Sequence, residues 1–496
     1  MSRWRSLAVL VAPCLLVTGL AACGAHGQAP GGASSTLTLS RCTVQSVSAR
    51  CGSLSVPENP AQPNGRHIHI RVVVVPAYGA HPDPDPLFYF AGGPGGAASD
   101  SVQWASSIFH VFNELHDLVF VDQRGTGGSN AMNCPALMNV GGSASGVVPT
   151  ASDEAAAARA CLASTARSGD PRMYTTPIFT DDVDQVRAAL GYHSIDVYGG
   201  SYGVSSGLTY IQRHGSHVRA ALFDSGSLLD VPLWQLSNTA QQHALDTVLD
   251  RCEGDASCKA AFPPVRVMLF DVITRLTASP ATVTVTDPHS GATRHATITA
   301  SVFVGVLADY FLDNVQDAAN LPAFLYAADL GDWPRLAQQL TVSAPPTNPT
   351  QTLVAAQSII CSDAWARMDP AAIRASGGRS LFTQHEVDIA NARRAFCAAW
   401  PSATGASGPV RSAAPVVFLN GTADPDDPPA NVAGAVAYMP NSLSVSVKDY
   451  GHGVLDQDSS RCLANDANVF LAKGVPSTAA DWLCALSPPL PLFDVG

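Results

Sequence analysis

Short, continuous apolar runs punctuate the first half of the chain. Leu87-Phe88-Tyr89-Phe90, Leu118-Val119-Phe120-Val121, Ile195-Asp196-Val197-Tyr198 and Ala220-Ala221-Leu222-Phe223 are all rich in β-prone side chains. Their apolar positions do not alternate with polar ones, which predicts strands buried on both faces. Helical spacing fills some of the intervals, as from Asp182 to Leu190, which stops at Gly191. Ahead of them, Ser53–Pro57 and His67–Val75 flank Asn64-Gly65 and predict an antiparallel pair joined by a tight turn. The ordered fold is expected to begin near Leu37. Buried strands alternating with helices predict a mostly parallel central sheet with helices on both faces.

The texture changes near Leu229. Helical segments follow at Trp234–Leu249, Val302–Leu312 and Leu321–Leu330, with a hairpin-like pair at Ala281–Thr286 and Ala296–Thr299 and a Pro/Thr-rich loop at Ala344–Thr350. With no βα repeat, this block reads as an insertion, a largely helical lid over 229–400. Sheet texture returns at Pro415–Leu419 and Leu443–Val447, and a last helix is expected over about Arg461–Ala472. The core therefore divides into a first part, 37–228, and a second part, 401–496.

The N-terminus carries Arg3 and Arg5, then an apolar run from Leu7 to Ala22 ending Leu20-Ala21-Ala22-Cys23. That pattern predicts a lipoprotein signal over 1–22, with Cys23 lipidated at the membrane and a Gly/Ala/Ser/Pro-rich tether over 23–36. The expected location is outside the cell membrane, anchored or secreted. Ten further cysteines form sequence neighbours, Cys42–Cys51, Cys134–Cys161, Cys252–Cys258, Cys361–Cys397 and Cys462–Cys484, which suit disulfides in an exported chain. No CxxC or HxxxH pattern argues for zinc, so no metal is expected. The 496 residues are 46% hydrophobic with a net charge of −12 and no long basic run, which makes nucleic acid an unsuitable partner. A monomer is favoured, although nothing in the sequence fixes the oligomeric state.

The chemistry gathers at strand ends. Gly199-Gly200-Ser201-Tyr202-Gly203 follows a predicted strand and opens a helix, the setting of a nucleophile elbow, in which bulky side chains two before or two after the serine would clash. A serine hydroxyl needs a base, and the base needs an orienting acid. Asp424, in Gly421-Thr422-Ala423-Asp424-Pro425, and His452, in Tyr450-Gly451-His452-Gly453, follow two late strands. The order Ser201, Asp424, His452 is the α/β-hydrolase order. Asp426 and Asp427 are expected to cap the next helix or face solvent. An oxyanion hole is expected from the N–H groups of Tyr202 and Gly93, the latter in Gly92-Gly93-Pro94-Gly95-Gly96 after the third buried strand.

Gly92–Gly95, Asp122-Gln123-Arg124-Gly125-Thr126-Gly127, Gly199–Gly203, Asp424-Pro425 and Gly451-His452-Gly453 together resemble prolyl-iminopeptidase-like serine peptidases. The resemblance is closer to the secreted tripeptidyl-aminopeptidase group of actinobacteria, and it covers nearly the whole mature chain. One departure is Ala91, where prolyl iminopeptidases usually carry His before Gly-Gly-Pro-Gly. The resemblance implies an α/β-hydrolase fold with an inserted lid, release of tripeptides or N-terminal residues from free-amine peptides, and no cofactor. Such an enzyme needs an anionic side chain to hold the substrate ammonium. Asp309, Asp313 and Asp363 are the candidates, with Asp363 preferred because Ile360-Cys361-Ser362-Asp363 looks like a pattern of the tripeptidyl group. An esterase or lipase on the same triad, and a non-catalytic peptide-binding lipoprotein, are the alternatives.

Overall fold

The buried apolar runs become the parallel part of one twisted sheet. A computed structural model describes residues 37–138, 149–231, 235–286, 293–333, 353–363, 368–475, 478 and 481–495. The expected signal, the tether, Cys23 and the loop at 344–350 lie outside the described residues. The strands are β1 (Ser40–Val44), β2 (Val47–Pro57), β3 (His67–Val75), β4 (Leu87–Phe90), β5 (Leu118–Val121), β6 (Ile195–Gly200), β7 (Val218–Asp224), β8 (Ala281–Thr286), β9 (Thr293–Ile298), β10 (Val416–Gly421) and β11 (Ser442–Val447). The longer helices are α1 (Ala151–Thr165), α2 (Thr176–Leu190), α3 (Tyr202–His214), α4 (Ser237–Gly254), α5 (Val265–Ala278), α6 (Ala300–Phe311), α7 (Leu353–Ser362), α8 (Thr383–Ala399) and α9 (Cys462–Lys473).

Nine strands form a sheet in the order β1-β2-β3-β5-β4-β6-β7-β10-β11. β1, β2, β3 and β5 pair antiparallel in turn, and every pairing from β5 to β11 is parallel. This is the α/β-hydrolase fold. The sheet has a core on each face. Along β5, Val119 and Val121 point into one core, with Phe88, Phe90 and Val197, while Leu118 and Phe120 point into the other, with Leu87, Tyr89 and Tyr198. Alternate side chains of one strand feed opposite cores, which explains why these runs carry no polar alternation.

Residues of α4, α5 and α6 and of the helix Leu321–Asp329 build a third core around Leu245, Leu269, Phe303, Leu307 and Phe324. The hairpin β8–β9 belongs to this region and forms a separate two-stranded sheet. Its second strand is Thr293–Ile298, three residues earlier than the start expected from the sequence. Helix α1, which the sequence pattern left undrawn, packs against α8. Disulfides join Cys42–Cys51 across β1 and β2, Cys134–Cys161, Cys252–Cys258, Cys361–Cys397 between α7 and α8, and Cys462–Cys484. Among the described residues no helix is long and apolar enough to cross a membrane.

Arg124 fastens α2 beneath the sheet ends. It is 1% exposed, and its Nε and Nη2 bind both Asp182 oxygens at 2.7 and 2.8 Å. Its Nη1 donates to the carbonyls of Glu58 (2.7 Å) and Met173 (2.9 Å). Four bonds in a fixed planar fork suit arginine and not lysine. Arg124→Leu is expected to cost about 3–5 kcal/mol in urea unfolding, because it leaves the Asp182 carboxylate buried without its counter-ion. The double change with Asp182→Leu should recover much of that loss; a single variant as stable as the parent contradicts the role.

Candidate active site

Strand order reverses between β4 and β6, and open α/β sheets collect ligands at the carboxyl ends of strands at such a point. The chain leaving β6 turns at Ser201 directly into α3. Ser201 has φ 55° and ψ −128°, a conformation that costs a non-glycine residue about 1–3 kcal/mol and persists only where its surroundings over-determine it. Its N–H donates to the Asp224 carbonyl (2.9 Å), and its own carbonyl accepts from the Val204 N–H (2.9 Å). A Cβ on Gly199 would run into the Gly203 backbone, and one on Gly203 would run into the Phe90 carbonyl. Both glycines are therefore conditions of the turn.

The loop after β4 lies on the serine. A Cβ on Gly92 would stand 3.2 Å from Ser201 Cβ and 3.1 Å from the Gly200 carbonyl oxygen. Gly93, the expected oxyanion donor, adopts φ 117°, which only glycine takes without strain. Asp122 holds this loop's continuation, accepting from the Ser99 N–H (2.7 Å), the Ser99 hydroxyl (3.0 Å) and the Gly128 N–H (2.9 Å). Tyr202 is the first residue of α3, and first-turn N–H groups have no acceptor within their own helix. Its phenol is fixed from below by Gln123 Nε2 (2.9 Å) and Thr176 Oγ1 (2.7 Å).

His452 follows β11 and Asp424 follows β10. His452 Nδ1 lies 3.1 Å from each Asp424 oxygen, and Asp424 is 1% exposed. Asp424 Oδ1 also accepts from the Asp426 N–H (2.9 Å) and Asp427 N–H (2.8 Å), which fixes the carboxylate plane. A proton on Nδ1 leaves Nε2 as the acceptor, the tautomer a general base requires. The structure thus brings Asp424 and His452 into contact. Among the described residues Ser201 and His452 share no direct hydrogen bond, and their loops meet through Asp224 and Ser225. The inserted region also grips the histidine loop. The His452 N–H donates to the Asp313 carbonyl (2.6 Å), and Gln457 donates to the His452 carbonyl (2.7 Å) while accepting from the Val315 N–H (2.9 Å).

Burial alone would lower the His452 imidazole. The Asp424 carboxylate, with Asp313 and Asp427 beside it, overrides burial and holds it well above the ordinary 6.5. Asp427, expected to cap the next helix or face solvent, does not face solvent. It is 6% exposed, accepts from the Ser227 hydroxyl and lies 3.9 Å from His452 Nδ1. Burial pushes its carboxyl up to about 7, so near neutrality its charge is partial and Asp424 remains the main partner of the imidazolium. Asp426 is likewise raised by burial, to about 6.

The three ammonium candidates separate. Asp309 and Asp313 are half-buried, and Asp313 lies near Asp426 and His452. Burial raises both, with mutual repulsion and Glu386 adding to the effect at Asp309. Asp363, the preferred candidate, has both carboxylate oxygens engaged. Its Oδ2 accepts from the Thr176 hydroxyl (2.7 Å) and its Oδ1 from the Ala406 N–H (2.7 Å), in a buried position behind Tyr202. It braces the Tyr202 phenol through Thr176. The sequence reading missed Glu386 on α8, which is 4% exposed, bonded by Gln241 and raised to about 7 by burial. No local motif marks Glu386 or Gln457; helix docking brings Glu386 here, and the short turn after His452 folds Gln457 back onto it.

A sequence profile described as "alpha/beta hydrolase fold" matches residues 85–261, and one described as "TAP-like protein" matches residues 385–481. A tripeptidyl aminopeptidase of Streptomyces coelicolor is 32% identical over 196 residues, 36% of this chain and 35% of that protein. The serine protease Hip1 of Mycobacterium tuberculosis is 25% identical over 239 residues, 44% of each chain. The chain thus spans between a third and a half of the length of the curated relatives it matches. A solved proline iminopeptidase of Mycobacterium smegmatis has 16% identity and a TM-score of 0.39, covering 85% of this chain and 98% of that one.

Imidazole titration followed by NMR should place His452 well above 6.5. Asp424→Asn should lower that midpoint by roughly 1–3 units, since burial then faces less opposing charge. An unchanged midpoint in the variant contradicts the pairing.

Proposed function

We propose that this chain, which carries the alpha/beta hydrolase fold and a TAP-like segment, is an exported serine peptidase that releases short peptides, tripeptides among them, from substrates with a free amino terminus. The observation that carries the reading is the strained Ser201 elbow beside a buried Asp424–His452 pair at the strand ends. Ser201 Oγ attacks the scissile carbonyl while His452 Nε2 takes its proton. The Tyr202 and Gly93 N–H groups receive the oxyanion. Collapse of the tetrahedral adduct breaks the C–N bond, and His452 delivers the proton to the leaving amine. Water then repeats the sequence on the acyl-enzyme and frees Ser201. Asp424 keeps the proton on Nδ1 and stabilises the imidazolium. The Ser201–His452 contact closes in the substrate complex, since such bonds are often long in ligand-free sites.

Free-amine recognition is supported by the carboxylates opposite the triad. Asp309, Asp313, Glu386 and Asp426 act on one another electrostatically, with Arg393 as a partner of Glu386 and Asp426. Burial lifts these carboxyls, so an entering ammonium would draw their protons off and pair with the restored charge. Export is supported by five disulfides in the described chain. Lipidation at Cys23 would tether the enzyme to the outer face of the membrane, with peptide as its partner and substrate.

Ser201→Ala should abolish turnover with the fold intact, leaving at most a residual of roughly 10³–10⁴ over water. The decisive series compares peptides with free and acetylated amino termini by mass spectrometry. Acetylation should cost at least about 10²-fold in kcat/KM, the loss expected when one partner of a buried ion pair is removed. Equal cleavage of both forms rejects the aminopeptidase reading, and ester turnover without peptide cleavage replaces it with an esterase. The pH profile adds a sign. The base must be neutral and its imidazolium is stabilised, so kcat/KM should rise with pH through a midpoint above 6.5.

A further inference from the structure

Asp224 ends β7, between the strand that delivers Ser201 and the strand that precedes Asp424. It is in register with Gly200 of β6 on one side and with Leu419 of β10 on the other. Its carbonyl takes the Ser201 N–H. Its carboxylate is 2% exposed and does not face His452; it accepts from Val454 N–H (2.8 Å) on Oδ1 and from Leu455 N–H (3.0 Å) on Oδ2. The Tyr198 hydroxyl (3.0 Å) and the Ser225 hydroxyl (3.1 Å) complete its donors. Ser225 is held at φ 53°, with its N–H on the Leu419 carbonyl (2.7 Å), and its Oγ accepts from the Gly453 N–H (2.8 Å). Gly453, Val454 and Leu455 directly follow His452. Three consecutive backbone amides of the histidine loop therefore end on one Asp-Ser pair, and that same aspartate fixes the nucleophile's own amide.

We propose that Asp224, with Ser225, is a positioning residue that sets the distance between Ser201 and His452. The proposal rests on those two residues being the reacting pair. The chemistry requires a carboxylate. Both oxygens accept, and each faces a different backbone N–H, so an amide at this position would turn a donor towards one of them. Burial pushes the Asp224 carboxyl up and the Leu455 and Val454 amides pull it back, as expected of an acceptor surrounded by fixed donors. Neither Asp224 nor Ser225 touches substrate in this scheme. Their effect reaches the reaction through the placement of the imidazole, where a displacement of about 1 Å costs about 10²-fold in rate.

The test is the rate at which a small fluorophosphonate labels Ser201, together with kcat and KM on the best peptide. Labelling needs the serine and histidine in register but makes no demand on peptide specificity. Asp224→Asn should label about 10²-fold more slowly and lose kcat by a similar factor, with KM within about twofold of the parent. Ser225→Ala removes the Gly453 tether together with one donor to the Asp224 carboxylate and should lose roughly tenfold in both rates. Tyr198→Phe removes a donor from the same carboxylate without touching the histidine loop, and should stay within about twofold of the parent. Parental labelling rates in both Asp224→Asn and Ser225→Ala overturn the proposal, and so does a Tyr198→Phe loss equal to that of Asp224→Asn, which would mark general packing. If Asp224→Asn does not fold, the contrast between Ser225→Ala and Tyr198→Phe decides. A parent protein that does not label at Ser201 sinks the hydrolase reading itself and is recognised before any variant is compared.

Discussion

Everything at the strand ends depends on one residue held in a conformation it would not choose. Ser201 sits at φ 55° because the chain must pass from β6 into α3 without an intervening loop. Three glycines make room for that turn. Gly199 and Gly203 let strand and helix close on each other, and Gly92 lets the loop after β4 lie against the serine. Hydrogen bonds to Asp224 and Val204 then hold the strained backbone in place. The strain is local, but the space it needs is provided by three separate segments of the chain.

A second constraint is electrostatic. One imidazole stands among several carboxyl groups, and only Asp424 is placed to bond it. Burial works against charge at Asp427, Asp426, Asp313 and Asp309 alike and raises all four carboxyls. Asp424 bonds the imidazole and accepts two backbone N–H groups as well, which fixes its position. In the proposed reaction this gives the imidazolium one hydrogen-bonded partner and leaves further carboxyls near it for an arriving ammonium.

Residues between β7 and β10 take part in holding the site. Asp313 and Val315 bind the histidine loop directly or through Gln457, and Asp363 on the α7 side braces Tyr202 through Thr176. The Cys361–Cys397 disulfide joins α7 to α8 close to the same tyrosine. The nucleophile's neighbour and the base's loop are thus both referenced to the inserted helices, so the shape of the cleft and the geometry of the reacting groups are not independent.

By itself the sequence determined whatever is written in contiguous residues. Apolar runs without polar alternation placed β4, β5, β6 and β7, because a strand buried on both faces has no polar side to show. The glycine spacing around Ser201 marked the elbow; the clash that forbids a side chain at Gly199 lies within the turn, while the one at Gly203 comes from the Phe90 carbonyl. The chain order of Ser201, Asp424 and His452 could be read because each follows a recognisable strand. Roles that depend on distant elements could not be read in this way. Asp363 was expected to face the cleft on the strength of a local pattern, and only folding shows Thr176 and the Ala406 amide occupying its oxygens. Asp427 was expected to cap a helix or face solvent, and only the fold brings the Ser227 hydroxyl to it. Glu386, Gln457 and Asp224 have no sequence signature, because a buried polar group acquires its function from the partners packed around it. Those partners lie tens to hundreds of residues away, so their identity is decided by the tertiary fold alone.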